Sequence, residues 1–180
     1  MNADAARIPE SLLLAIGTVA VASADLEHVL RHFVAGLAGI TAYDGGSLLL
    51  EGQSADWLIG NGKMLVSDDA MSRSDPRGPA LRELFERAEQ LKNARNTVIH
   101  GRWQTRCGWP PADADMCSPR SARTYDHPEF VFHVVRSRYR KYAVEQAWAV
   151  SEVDELASQM QALAQQLLDL SERGYAAVAQ

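Results

Sequence analysis

The chain has 180 residues, of which 47% are hydrophobic and 23% are charged. That balance is typical of one globular domain with enough apolar surface for a core, and it excludes a disordered chain or a collagen-like repeat. With 18 Lys and Arg against 23 Asp and Glu, the formal net charge is −5. This charge argues against a protein that coats nucleic acid or an anionic membrane nonspecifically, although it leaves room for a local basic site.

The first predicted element is a long amphipathic helix. Its apolar face is formed by Leu12, Ile16, Val19, Ser23, Leu26, Leu30, Phe33, Leu37 and Ile40, which recur at helical spacing. The run from Leu12 to Ala22, followed by Ser23-Ala24, also matches a signal peptide. However, the residues before it lack the positive charge of such a leader, and the apolar run is too short to cross a bilayer. We therefore expect a cytoplasmic chain with no membrane segment.

Two further helices are expected before the middle of the chain. A shorter, less regular helical stretch runs from Leu48 to Leu65 and is interrupted by glycines. A loop rich in Pro and Gly, Ser72 to Pro79, then leads to a helix start. The apolar face of this third helix consists of Leu81, Leu84, Ala88, Leu91, Ala94 and Val98. Gly101 is expected to take the left-handed conformation common just past a helix, which predicts that the helix ends near His100.

The segment 104–150 differs in composition and becomes rich in Phe, Val, Tyr and Trp toward its end. The alternation of side chains from Glu129 to Val150 predicts an antiparallel meander of two or three strands. A last helix follows, with Val153, Leu156, Met160, Leu163, Leu167 and Leu170 on its apolar face. Ser151 is expected as its N-cap, with Asp154 at the third helical position. The predicted fold is mainly α: a single domain over residues 1–180, built as a bundle of about four helices with 104–150 as a β-rich insertion.

The residues suited to chemistry lie at the end of the third predicted helix, in Arg95-Asn96-x-x-x-His100. Asn96 and His100 share a helical face, and Arg95 is long enough to bring its guanidinium over to them. Histidine transfers protons near neutral pH, whereas arginine is a permanently charged, planar donor suited to a phosphate. The alternative is structural: Arg95 would pair with Glu27 or Asp25, and His100 would bind a free carbonyl of its own helix.

This motif resembles the signature of the HEPN superfamily of helical RNA-cleaving and RNA-binding domains, in which an Arg, often followed by Asn, precedes a His by a few residues. The resemblance covers residues 9–103 and the final helix, and leaves 104–150 outside the family's common core. It implies a metal-independent endoribonuclease without cofactor, in which attack by a ribose 2′-hydroxyl gives a 2′,3′-cyclic phosphate. In this reading His100 is the general acid or base, Arg95 stabilises the charge on phosphorus, and Asn96 orients His100 or the phosphate.

The resemblance also implies partners. Family members act as dimers in which the motif helices of two subunits form one cleft, so a homodimer that binds RNA is expected. A toxin or defence protein of this kind would have an antitoxin or other regulatory partner, which the sequence does not name. Because some family members are inactive, two alternatives stay open: a catalytically inactive RNA-binding or dimerisation module, and a helical nucleotide sensor.

Basic residues are concentrated around the motif. Residues 101–142 hold eight Lys or Arg and four acids, for +4, whereas the rest holds ten basic and nineteen acidic residues, for −9. Arg136, Arg138 and Arg140 are expected on one strand face, and together with Arg102 they are the predicted RNA contacts. A solvated strand face is the alternative.

No metal site is expected from the sequence. Cys107 and Cys117 are too few for a disulfide scaffold and lack ligand partners at zinc spacing, so both are expected to be free thiols in a reducing cytoplasm. His28 and His32 are four positions apart on the first helix and could bind a metal. With no third ligand in the sequence nearby, a polar helical face is the expected role of the pair.

Overall fold

The computed structural model describes residues 8–40, 50–67, 78–104, 131–136 and 144–178. These residues contain four helices and three strands: α1 (Glu10–Leu37), α2 (Ala55–Ser67), α3 (Gly78–His100), β1 (Arg102–Gln104), β2 (Val131–Arg136), β3 (Val144–Ala149) and α4 (Val150–Val178). The predicted fold class, mainly α with a small antiparallel β element before the final helix, is confirmed.

Helix α1 buries most of the predicted apolar face. It ends at Leu37, however, before Ile40, the last residue of that face. After Leu37 the chain turns at Gly39, whose φ is +69°. The Gly39 N–H donates to the carbonyl of Gly36 at 3.1 Å, and the Ile40 N–H donates to the carbonyl of Ala35 at 2.9 Å. These two bonds form a Schellman motif, in which glycine takes the left-handed conformation without a Cβ clash. Ile40 therefore lies beyond the helix.

Helix α1 is also long and apolar enough, by length and composition, to cross a membrane. Its most apolar 18-residue window has a mean hydropathy of 1.5, and 28% of that window is buried within the protein. The run from Leu12 to Ala22 is shorter than this window, so the expectation of a chain with no membrane segment stays a prediction. Core helices of soluble proteins and signal sequences meet the same criterion.

Gly60 and Gly62 do not interrupt α2, contrary to the prediction, whereas the predicted interruption at Gly52 is confirmed: this residue has a φ of +77° and precedes the helix. Ser54 is the N-cap, with its Oγ accepting a hydrogen bond from the Trp57 N–H at 3.3 Å. A Cβ at Gly62 would lie 2.2 Å from Cε1 of Phe85. Gly62 is therefore the position where the Phe85 ring contacts the α2 backbone, and the buried Phe85 was missed in the predicted apolar face of α3.

The three strands form an antiparallel sheet in the order β1-β2-β3, which confirms the predicted meander. Trp103 is opposite Val134, and Val134 is opposite Gln146. The β element begins slightly earlier than expected, because Arg102 and Trp103 already belong to β1. Strand β3 passes into α4 without a loop.

The start of α4 differs from the prediction. The helix begins at Val150, and the Ala149 N–H donates to Oε2 of Glu152 at 2.8 Å. Glu152 is thus the third helical residue, where a glutamate reaches back to the N-cap backbone, and Ala149 rather than Ser151 is the N-cap. Ser151 and Asp154 both lie within the helix. The predicted apolar face is buried from Val153 to Leu167.

The chain divides into two compact units, and α1, α3 and α4 each contribute to both. One unit comprises Met1–Ala20 and Ala94–Ala157, and the other comprises Val21–Asn93 and Ser158–Gln180. The core of the first unit includes Leu12, Val19, Val98, Val134, Val153 and Leu156. The core of the second includes Leu30, Phe33, Leu58, Phe85, Met160 and Leu163. The motif residues and the sheet belong to the first unit.

Candidate functional site

The motif residues lie in the last two turns of α3. Thr97 and Val98, between them, are buried, so this part of the helix is anchored to the core of its unit. Arg95 and Asn96 are half-buried, whereas His100 is exposed. The site therefore presents an accessible imidazole at the end of a fixed helix.

The structure brings all three motif side chains together, with the guanidinium of Arg95 between the other two. Arg95 Nη1 donates to Oδ1 of Asn96 at 3.0 Å. The same nitrogen lies 3.4 Å from Nε2 of His100. The guanidinium of Arg95 thus reaches both Asn96 and His100, as predicted. Asn96 therefore contacts Arg95, and its predicted role in orienting His100 or a phosphate stays a prediction.

The contact between Arg95 and His100 restricts the role of the ring nitrogen. A guanidinium nitrogen only donates hydrogen bonds, so Nε2 of His100 accepts one when the ring is neutral and carries its proton on Nδ1. In that form the electron pair of Nε2 accepts the hydrogen bond from Arg95, and it becomes available to another proton donor when the guanidinium turns to a different acceptor. The arrangement places a proton acceptor beside a permanent cation, which is the combination needed to deprotonate a hydroxyl next to a phosphate.

The end of α3 is held by a close contact with the sheet. The Gly101 N–H donates to the carbonyl of Thr97 at 2.9 Å, which closes the last helical turn. A Cβ at Gly101 would lie 2.0 Å from Cγ2 of Val134 and 2.5 Å from the Thr97 carbonyl oxygen. Positive φ occurs at Gly39 and Gly52 among the described glycines, and not at Gly101. The predicted helix end is correct, but the predicted left-handed conformation of Gly101 is wrong. Glycine is needed there because a side chain would collide with Val134 and with the Thr97 carbonyl.

Trp103 makes a second contact with the helix end. Its indole Nε1 donates to the carbonyl of Val98 at 2.9 Å. That carbonyl belongs to the last turn, where four carbonyls have no partner inside the helix. Sequence reasoning did not assign Trp103 a role. The sequence shows a tryptophan shortly after the helix end, but the turn into β1 decides which carbonyl its indole contacts.

The structural alternatives for the motif are answered in part. Among the described residues, the side chain of His100 bonds with Arg95 and not with a carbonyl of its helix. Glu27, one proposed partner of Arg95, has its carboxylate 3.9 Å from the guanidinium of Arg31, four positions further along α1. That distance does not test the pairing of Arg95 with Glu27 or Asp25, which stays a prediction.

Two of the arginines predicted to contact RNA lie in the described residues, on different strands. Arg102 is exposed at the start of β1, and Arg136 is half-buried at the end of β2. Arg102 is paired with Val135, so the alternation of strand side chains puts Arg102 and Arg136 on opposite faces of the sheet. Arg138 and Arg140 lie outside the described residues.

The remaining histidines and cysteines form no larger cluster within the described ranges. No group of three or more His, Cys, Asp or Glu residues there is arranged to hold a metal ion. His28 and His32 contact each other, with ring centroids 4.6 Å apart. Cys107, Cys117 and His127 lie outside the described residues.

Comparisons with known proteins give no match. No protein-family model matches the chain, and neither a curated protein nor a solved structure is similar to it at a significant level.

Proposed function

We propose that this chain is a metal-independent endoribonuclease of HEPN type that acts as a homodimer. The observation that carries the proposal is the distance of 3.4 Å between Nη1 of Arg95 and Nε2 of His100. A second hydrogen bond, from Arg95 to Asn96, fixes the guanidinium in that position. A general base and a phosphate-binding cation are therefore adjacent and supported before any substrate is present.

The reaction that suits this pair is transfer of the phosphoryl group within RNA. Nε2 of His100 takes the proton of a ribose 2′-hydroxyl, and the 2′-oxygen forms a bond to the adjacent phosphorus. The bond from phosphorus to the 5′-oxygen of the next nucleotide breaks, and that oxygen takes up a proton. The products are a 2′,3′-cyclic phosphate and a 5′-hydroxyl. Arg95 stabilises the negative charge that accumulates on the phosphate oxygens in the transition state.

The homodimer supplies the second proton-transfer group. One imidazole that has taken the 2′-proton cannot donate to the leaving oxygen in the same step, whereas His100 of a second copy can do so. Such an interface is isologous, so a charge placed at its centre is present twice. We expect dimers in sedimentation at micromolar concentration; a stable monomer that does not dimerise on RNA would contradict this arrangement.

The decisive experiment incubates the protein with mixed RNA in EDTA and analyses the 3′-ends by mass spectrometry. The wild type is expected to yield cyclic phosphates, and His100→Ala is expected to yield none. His32→Ala is the matched control, since it removes another exposed imidazole and leaves the motif intact. Cleavage that persists in His100→Ala, or that requires added Mg²⁺, would contradict the mechanism.

Stability separates catalysis from a structural role. Because His100 is exposed, His100→Ala is expected to change the unfolding free energy by about 1 kcal/mol or less. A larger loss, with activity unchanged per folded molecule, would assign the pair a structural role. RNA binding without a cyclic-phosphate product would indicate an inactive RNA-binding module, and binding of free nucleotides alone would indicate a sensor.

A further inference from the structure

The two histidines of α1 form an exposed pair that the proposed ribonuclease reaction does not use. His28 and His32 are one helical turn apart, and both side chains are exposed. Their ring centroids are 4.6 Å apart, with an angle of 71° between the ring planes. Among the described residues, each ring contacts the other and no hydrogen bond or ion pair to another side chain holds either ring.

We propose that His28 and His32 form a two-imidazole site for a divalent transition-metal ion. Histidines at positions i and i+4 of a helix project from the same face, and their ring nitrogens can reach one ion. Neutral imidazole suits zinc, copper and nickel, and the general order of affinities places copper(II) first. Water completes the coordination, because no third protein ligand is arranged there among the described residues.

The charges around the pair favour a cation. Asp25, which is exposed, precedes His28 by three positions and therefore lies on the same side of α1. Arg31 is the nearest positive charge in the sequence, and the carboxylate of Glu27 lies 3.9 Å from it. The two acids outnumber the one base on this part of α1, so the charges of this stretch favour a cation over an anion.

Formation of the helix is what makes the site. In the unfolded chain the two imidazoles are not held on one face, so the ion binds the folded protein more tightly and raises the unfolding temperature. The coordinating nitrogens must be unprotonated, so binding releases protons and weakens in acid. A ring contact that serves only for packing would show neither property.

The test titrates metal-free full-length protein with copper(II), nickel(II) and zinc(II) by calorimetry, and records the electron paramagnetic resonance spectrum with copper(II). We expect one ion per chain at this site, two coordinating imidazole nitrogens, and a higher unfolding temperature with nickel(II). His28→Gln and His32→Gln should each lower the association constant by at least about tenfold, because the second imidazole binds intramolecularly. Both positions are exposed, so the variants should fold, which circular dichroism checks.

His100→Ala is the matched control, because it removes an exposed imidazole from another helix and should leave the titration unchanged. Equal affinity in the wild type and in both glutamine variants would overturn the proposal, as would an absence of binding to the wild type. The ribonuclease assay is run in EDTA, so neither outcome affects the proposed function.

Discussion

Gly101 and Val134 are so close that a Cβ at Gly101 would lie 2.0 Å from Cγ2 of Val134. Val134 is fully buried. It belongs to the central strand, β2, where it lies opposite Trp103 of β1 and Gln146 of β3. The residue that follows His100 is therefore in direct contact with β2. This contact fixes where α3 ends, and with it the position of the imidazole.

Gly101→Ala is expected to destabilise the protein by about 1–3 kcal/mol, because the added methyl group must displace a buried side chain. The RNA cleavage that we propose should fall further than stability alone explains, since the displaced end of α3 carries His100. Denaturant unfolding and cleavage rates measure the two effects. Gly60→Ala is the matched control: nothing lies within 4 Å of its Cβ position, so this variant should gain up to about 1 kcal/mol. Unchanged stability in Gly101→Ala would contradict the contact.

Asn96→Ala is expected to lower the kcat of the RNA cleavage that we propose by up to about a hundredfold, because the guanidinium of Arg95 loses an acceptor. Asn96→Asp retains an oxygen at that position and should recover much of the rate. The comparison uses kcat and KM for a short RNA under single-turnover and steady-state conditions. Equal losses in the two variants would show that the acceptor oxygen of Asn96 is unimportant.

Trp103→Phe is expected to lower the unfolding free energy by about 1 kcal/mol or more, because the carbonyl of Val98 loses its indole partner. Trp148→Phe is the control, since its indole bonds at 3.4 Å to the exposed side chain of Gln146. Thermal unfolding of both variants distinguishes them. A greater loss in Trp148→Phe would mean that the bond to the helix end contributes little.

Glu89→Gln should remove a pH-dependent part of the stability. The hydrogen bond from Lys63 Nζ, 2.7 Å from Glu89 Oε2, and the charge of Lys63 lower the pKa of Glu89 from its ordinary value of 4.5. The folded state therefore binds this proton less readily than the unfolded state does. The contribution is present above pH 4.5 and is lost as the pH falls through the lowered pKa.

The size of that contribution is below about 1 kcal/mol, because Lys63 is half-buried and Glu89 is exposed, so solvent and salt screen the pair. Urea unfolding between about pH 3 and 7 measures how the unfolding free energy changes with pH. At acid pH this slope should be shallower for Glu89→Gln than for the wild type, by about a few tenths of a kcal/mol in total. Glu83→Gln, the same substitution at another exposed position of α3, is the control. Identical slopes in all three proteins would assign the ion pair no role in stability.

Removal of residues 1–24, as cleavage after Ala24 would cause, is expected to prevent stable folding. The lost segment contains Leu12, Val19 and Ala22, all of which are fully buried. Burial of one leucine or valine side chain contributes about 1.5–3 kcal/mol, against a typical total stability of about 5–15 kcal/mol. N-terminal sequencing of the native protein is therefore expected to find residues 12–24 still present. A folded native chain that starts at Asp25 would contradict this.

Local patterns in the sequence were sufficient for the existence of the helices and for the antiparallel meander, although not for every helix boundary or buried residue. The spacing of apolar residues along a helix depends on the helix alone, so α1, α3 and the buried face of α4 follow from it. The proximity of Arg95, Asn96 and His100 was predictable for the same reason, since one helix carries all three. The end of α3 at His100 was also predictable, because glycine commonly follows a helix.

Contacts between segments that are distant in sequence were decided only by the tertiary structure. The space that requires Gly101 is set by Val134, and the ring that contacts Gly62 belongs to Phe85. Likewise, the pairing of Arg102 with Val135 decides that Arg102 and Arg136 lie on opposite faces of the sheet. No periodicity encodes such distances, because they depend on how folding brings separate elements into contact. The sequence determined which residues of α3 could meet, whereas the packing of β2 on Gly101 determined where the helix presents them.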